Sequence, residues 1–217
     1  MANLITLLRF CLLFVLVAMA YWAPPVWQQA NAPLLVLIIG LDGLDGYVAR
    51  VRGETSIFGS IFDIAVDRVV ENVLWIVLGH IGLVPIWVAI VFIVRGAIVD
   101  SIRYAAISRG ESAFGMMRSA LGRTLVAGRA MRGLYGVAKA ATFAWVLFFQ
   151  PWPTLYPQAW ERWADTVGMV TLALVLLSVA LCILRGVPVV AEFIVAEDAF
   201  RRRRFDNRRH PARESRS

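Results

Sequence analysis

Six apolar stretches of about 20 residues, joined by short connections, leave this chain few ways to fold. In hydrocarbon every backbone N–H and C=O needs an internal partner, so a stretch of that length crosses a bilayer as an α-helix. The expected spans are roughly residues 4–23, 32–49, 57–78, 83–107, 133–150 and 165–186, the last with room to run past Pro188. Pro24 and Pro25 end the first, and QPWP closes the fifth. The fold class is therefore all-α, a polytopic membrane bundle of six transmembrane helices. A 59% hydrophobic content and a mean hydropathy of +0.69 exclude a soluble domain with a polar surface. The length of 217 residues suits one membrane domain, residues 1–199, followed by a basic cytoplasmic tail, 200–217. There is no internal repeat.

Charge orients the bundle. The formal net charge is +7, and of 22 basic residues all but Lys139 are arginine. Connections after the second and fourth spans hold Arg50, Arg52, Arg109, Arg118, Arg123 and Arg129, and the tail opens with RRRR at 201–204. Those after the first and third hold no Lys or Arg, and the one after the fifth holds only Arg162. The asymmetry puts both termini on the cytoplasmic side. The segment QPWPTLYPQAWERW, 150–163, reads as an outer loop with an aromatic belt, and 111–132 as an amphipathic surface helix weakened by its glycines. The basic balance points to anionic headgroups or phosphorylated substrates before nucleic acid, since the tail lacks stacking aromatics beyond Phe200 and Phe205. Cys11 and Cys182 lie in apolar runs and form no metal-ligand spacing. Arg9 inside the first apolar run favours a retained helix over a cleaved signal peptide.

Against this background, four carboxylates stand out. Asp42 and Asp45 are three residues apart, and Asp63 and Asp67 four, so each pair shares a helix face. The topology sets these faces on two antiparallel helix ends near the cytoplasmic interface. Four such groups cannot all stay charged without compensation, and hard divalent cations suit all-oxygen ligation. Gly43, Gly46, Ala49 and Gly59 leave room for a ligand to approach. The plainer alternative is a set of ion pairs, Asp42 or Asp45 with Arg50 and Asp67 with Arg68 or another arginine.

Further along, Arg95, Val99 and Arg103 follow i, i+4, i+8, so both arginines share one face and suit a phosphate. Alternatively, Arg95 pairs with Asp100 or an acid of the cluster, and Arg103 marks the interface. Glu71 lies one turn beyond Asp67, as a partner of the cluster or half of a structural ion pair. Asp100 is placed to orient Arg103, and His80 reads as an interfacial residue far from the acids.

The run D-G-L-D-G-Y-V-A-R, eight residues, then G-S-I-F-D-I-A-V-D fits D-x2-D-G-x2-A-R-x8-G-x3-D-x3-D without a departure. The chain thereby resembles the CDP-alcohol phosphatidyltransferase family at Asp42, Asp45, Gly46, Ala49, Arg50, Gly59, Asp63 and Asp67. Asn3, Thr6 and Arg9 look like the N-x2-T-x2-R at this family's N-terminus. Arg95 and Arg103 resemble its paired fourth-helix arginines. Lys139, in GVAKAAT, resembles a lysine of the G-K-x-K-T segment of phosphatidylglycerophosphate synthases. The sequence departs from those synthases at Val137, at the displaced Thr142, at Ile64 where they usually have Pro and at Arg68 where they usually have Lys.

What the resemblance implies is a homodimeric enzyme of a bacterial cytoplasmic membrane, with a cytoplasmic active site and two divalent cations, Mg²⁺ or Mn²⁺. It would move a phosphatidyl group from CDP-diacylglycerol to an alcohol and release CMP. Asp42, Asp45 and Asp63 are implied as metal ligands, and Asp67 as general base with a role at a metal. Gly46, Ala49, Arg50, Gly59, Asn3 and Thr6 are implied at the nucleotide donor. Arg95, Arg103 and Lys139 would hold an acceptor phosphate. Glycerol 3-phosphate is the favoured acceptor, with phosphatidylglycerol or an inositol phosphate as alternatives. Two readings compete. An ion-coupled transporter needs acids near mid-bilayer on several helices, and a silent relative would serve as a membrane scaffold.

Overall fold

The structure is a computed structural model that describes the backbone of residues 2–52, 57–108 and 122–209, and side chains within 4–44, 59, 61–108, 122–126 and 128–196. The described elements are helical throughout: α1 Ala2–Trp22, α2 Pro25–Gln28, α3 Asn31–Arg52, α4 Ile57–His80, α5 Ile86–Ser108, a π-helical turn Arg123–Ala127, α6 Arg129–Phe149, α7 Trp152–Leu155 and α8 Pro157–Arg209. The six long helices fall on the six expected stretches. Two of them, over Leu4–Trp22 and Pro157–Ala196, are long and apolar enough to cross a membrane on length and composition alone. The other four carry charged side chains within a similar length: Asp42 in α3, Asp63, Asp67 and Glu71 in α4, Arg95 and Arg103 in α5, and Lys139 in α6.

Two segments differ from expectation. The connection at 150–163 is not an open loop. It holds α7 and the first turns of α8, which starts at Pro157, where a missing N–H costs nothing because that donor lies outside the intrahelical ladder. The last helix continues past Pro188, as the sixth stretch has room to do, and runs on to Arg209, further than the expected span. Pro188 removes one rung of the ladder, and the helix-forming Arg, Ala and Glu residues that follow extend it. The expected surface helix at 111–132 lies mostly outside the described residues. Its described end is the π-helical turn and the start of α6.

The chain divides into two compact units, residues 1–93 with 135–180, and 94–134 with 181–217. In the first, α1 lies along α3 and α4. Leu13 and Leu16 of α1, Leu35 and Ile38 of α3, and Val66, Val70, Leu74 and Leu78 of α4 are buried. Trp75, fully buried, stacks on Phe92 and meets Phe143, each at a centroid distance of 4.5 Å. Polar contacts fasten one end of this unit. Tyr21 Oη lies 2.7 Å from His80 Nδ1. Asn31 Nδ2 donates to Gln150 Oε1 at 3.3 Å, and Gln150 Nε2 donates to the Ala20 carbonyl at 2.9 Å. His80 is thus an end-of-bundle residue, as its position in the sequence suggests. Asp42 lies midway along α3, and Asp63 and Asp67 in the first half of α4, so the acids sit further along these helices than the expected helix ends. Large apolar side chains such as Leu4, Phe14, Val36, Ile64 and Leu172 are exposed, as on a surface that faces lipid.

The turn from α4 to α5 is tight. Gly82 takes φ +77°, a left-handed conformation that suits glycine. A Cβ at Gly79 would lie 2.8 Å from Cδ1 and 3.2 Å from Cα of Ile86. Gly79→Val should therefore cost about 1–3 kcal/mol through overpacking. Thermal unfolding in detergent checks this, and an unchanged midpoint would refute the close packing.

In the second unit, Val99 and Ile102 of α5 pack with Val126 and Val189, against which Val190 and Phe193 lie. Arg185 is buried and donates to the carbonyls of Leu125 and Val126, each at 3.3 Å, so an α8 side chain holds the π-helical turn. Gly186 lets the Arg95 stem approach, since a Cβ there would lie 2.9 Å from Arg95 Cγ.

Candidate active site

The site grows from one contact set between α1, α3 and α4. Asp63 and Asp67 are successive turns of one α4 face, and Asp42 faces them from α3. One carboxylate oxygen from each of the three falls within 4.8 Å of the others. Arg9 of α1 lies among them, with its side chain only 3% exposed. Its guanidinium reaches Asp42 Oδ1 at 2.7 Å, Asp63 Oδ1 at 3.2 Å and Asp67 Oδ1 at 2.7 Å. The carboxylates themselves are 39–49% exposed, so they face outward from a buried cation. A planar guanidinium with five N–H donors is well shaped for several carboxylates at once.

Arg9 is what reading the sequence for local pairs passes over. The expected partner of Asp67, Arg68 or another arginine, is the distant Arg9, while Arg68 lies 3.6 Å from Glu71. The pairs proposed with Arg50 lie outside the described side chains. So do the side chains of Asp45, Gly46, Ala49, Arg50 and Asn3. Thr6 is described and buried, one turn before Arg9 on α1, and Gly59 is half-buried near the start of α4. The signal for Arg9 was present: an arginine inside an apolar span calls for an acid on another helix.

A cavity of about 350 Å³ opens from the acids. Arg9, Asp42, Asp67, Glu71 and Lys139 give its polar lining, and Leu35, Ile38, Val70, Leu74 and Phe143 are among its apolar walls. Lys139 Nζ lies 2.8 Å from Glu71 Oε2 and 4.3 Å from the centre of the Tyr135 ring. Tyr135 Oη donates to Glu71 Oε1 at 3.4 Å. The structure thus brings Lys139 to the same cavity as Asp42 and Asp67. Arg95 and Arg103 belong to the second unit, where Arg103 lies 3.9 Å from Asp100, one turn earlier.

Residues 1–155 match the family model for CDP-alcohol phosphatidyltransferase, which is most of the chain. The chain belongs to the CDP-alcohol phosphatidyltransferase family. Among its relatives is a CDP-diacylglycerol–glycerol-3-phosphate 3-phosphatidyltransferase of Bacillus subtilis (strain 168), 32% identical over 87 residues, covering 40% of this chain and 45% of the relative. A protein of Mycobacterium tuberculosis (strain H37Rv), provisionally named a cardiolipin synthase, is 33% identical over 113 residues, covering 51% of this chain and 52% of the relative. The Mycobacterium bovis protein of the same provisional name matches to the same extent. The chain spans about half the length of the relatives it matches.

The family uses divalent cations, and the residues present fit one. Asp42, Asp63 and Asp67 offer converging oxygens, the donor type that hard cations take.

Proposed function

We propose that this phosphatidyltransferase-family protein moves a phosphatidyl group from CDP-diacylglycerol to an alcohol and releases CMP. The observation that carries the reading is that carboxylate oxygens of Asp42, Asp63 and Asp67 fall within 4.8 Å of one another, and that Asp42 and Asp67 line a cavity with Lys139. In this reading Asp42, Asp45, Asp63 and Asp67 hold two divalent cations, Mg²⁺ or Mn²⁺. Bound there, the cations would neutralise charge on the donor's pyrophosphate and on departing CMP. Asp67 accepts the proton of the acceptor hydroxyl as its oxygen attacks the phosphorus that carries the diacylglycerol. The new P–O bond forms as the bond to CMP breaks, and CMP leaves with the electron pair. Gly46, Ala49 and Gly59 give the cytidine nucleotide access to the helix surfaces, and Asn3, Thr6 and Arg50 help to hold the donor.

Glycerol 3-phosphate is the first acceptor in this proposal, with Arg95, Arg103 and Lys139 as cationic groups for its phosphate. The second reading is phosphatidylglycerol, as in cardiolipin synthesis, which the mycobacterial relatives support over a longer match. An inositol phosphate comes third. The protein would span a bacterial cytoplasmic membrane six times as a homodimer, with a membrane domain over 1–199 and the arginine-rich 200–217 against anionic lipid on the cytoplasmic side. The converging acids come from two facing helices, α3 and α4, around one arginine, which speaks against a transporter with acids spread over several helices.

The experiment is CMP release by purified protein given CDP-diacylglycerol, Mg²⁺ or Mn²⁺, and a panel of acceptors. The panel holds glycerol 3-phosphate, inositol 1-phosphate, inositol, serine and phosphatidylglycerol. Metal-dependent release with one acceptor is the expected result and names the product. Folded protein that releases no CMP with any of them would overturn the glycerol 3-phosphate reading and move the scaffold reading ahead.

A further inference from the structure

We infer that Glu71 sets how much negative charge an acceptor can bring into the cavity, by holding the Lys139 ammonium in an ion pair. The inference rests on the transferase reading and concerns the acceptor end of the same site. Glu71 follows Asp67 by one turn of α4, about 6 Å further along the helix. Its side chain is 13% exposed, and Lys139 Nζ reaches it at 2.8 Å. Tyr135 Oη reaches it at 3.4 Å and the Arg68 guanidinium at 3.6 Å. A buried carboxylate held from three directions is a fixed charge, because each contact strengthens in a low-dielectric setting.

The position gives this charge its consequence. Asp67, Glu71 and Lys139 line one cavity. An acceptor whose hydroxyl meets Asp67 would carry its phosphate, a three-carbon unit away, to the Glu71–Lys139 pair. Beside that pair a phosphate is drawn by the ammonium and repelled by the carboxylate. The repulsion scales with the acceptor's charge. It weighs about twice as heavily on a dianionic phosphomonoester as on a monoanionic phosphodiester. Glu71 therefore narrows the advantage that Lys139 alone would give to a phosphomonoester such as glycerol 3-phosphate over a phosphodiester alcohol such as phosphatidylglycerol. It acts through Lys139 and is a positioning residue.

The test is Glu71→Gln in the full-length protein, in detergent micelles with CDP-diacylglycerol and Mg²⁺. kcat/KM is measured separately for glycerol 3-phosphate and for phosphatidylglycerol. The ratio of monoester to diester should rise on the order of tenfold, mainly through a lower KM for glycerol 3-phosphate. Glu71→Asp should keep the wild-type ratio. A general loss of structure would lower both rates together, so a ratio that is unchanged or falls overturns the inference. If Glu71→Gln does not fold, the double variant Glu71→Gln/Lys139→Met removes both charges at once. Its ratio should then stay within about threefold of wild type, because the local net charge is unchanged. A larger departure overturns the inference. If the wild type releases no CMP with either acceptor, the transferase reading fails by itself. Calorimetric binding of glycerol 3-phosphate then decides: tighter binding to Glu71→Gln supports the charge effect, and equal or weaker binding overturns it.

Discussion

Replacing Asp67 by Asn should reduce CMP release by about 10²–10⁴-fold, the loss expected when a positioned general base can no longer take a proton. Asn keeps the shape of the side chain and an oxygen able to accept a hydrogen bond from Arg9. It cannot take up a proton from the attacking hydroxyl. Asp67 is suited to that task by its surroundings. It lines the cavity, is 49% exposed, and is anchored by Arg9 at 2.7 Å through one oxygen. The companion measurement is thermal unfolding, which should stay close to wild type. Release above a tenth of the wild-type rate would remove Asp67 from the proton-accepting role. Comparable loss at Asp42→Asn with intact folding is also expected, since that carboxylate meets Asp67 from the facing helix. Loss of donor binding should be the larger part of its effect.

The helical architecture is legible because long apolar stretches bounded by Pro, Gly and charge are local properties of the sequence. That is why the long helices fall on the expected stretches. The spacing of Asp63 and Asp67 likewise places both on one α4 face before any tertiary information enters. What the sequence hides is long-range pairing. Arg9 meets Asp63 across 54 residues and Asp67 across 58, whereas the nearby Arg68 offered a simpler local partner. Arg68 is adjacent to Asp67 in the chain and so points to a different side of α4, toward Glu71 one turn on. The Glu71–Lys139 contact is hidden for the same reason, since nothing local says that α6 lies along this part of α4. The full extent of α8, from Pro157 to Arg209, is hidden for a different reason. Pro157 and Pro188 look like breaks, but one begins the helix and the other costs a single hydrogen bond. Arg185 donates to two carbonyls of a π-helical turn, a use that has no sequence signature.

Arg9→Gln should lower stability by about 3 kcal/mol, the low end of the range for removing one partner of a buried ion pair. The low end applies because water reaches the carboxylates and screens part of their repulsion. Gln has no charge and one amide group. It can donate to one of the three acids but cannot balance the three carboxylates that converge within 4.8 Å. The uncompensated repulsion would push α3 away from α4, and α1 would lose its polar link to both. The loss should therefore depend on divalent cations. In chelator, the unfolding midpoint of Arg9→Gln should fall well below wild type. In millimolar Mg²⁺ or Mn²⁺ the gap should narrow, because cations deliver positive charge to the same oxygens. Arg9→Lys should fall between the two, since an ammonium keeps the charge but lacks the fork that reaches several carboxylates together. A gap between wild type and Arg9→Gln that is the same with and without divalent cations would mean that the acids do not hold a cation. That result would weaken the metal reading of Asp42, Asp63 and Asp67 directly, without any measurement of activity.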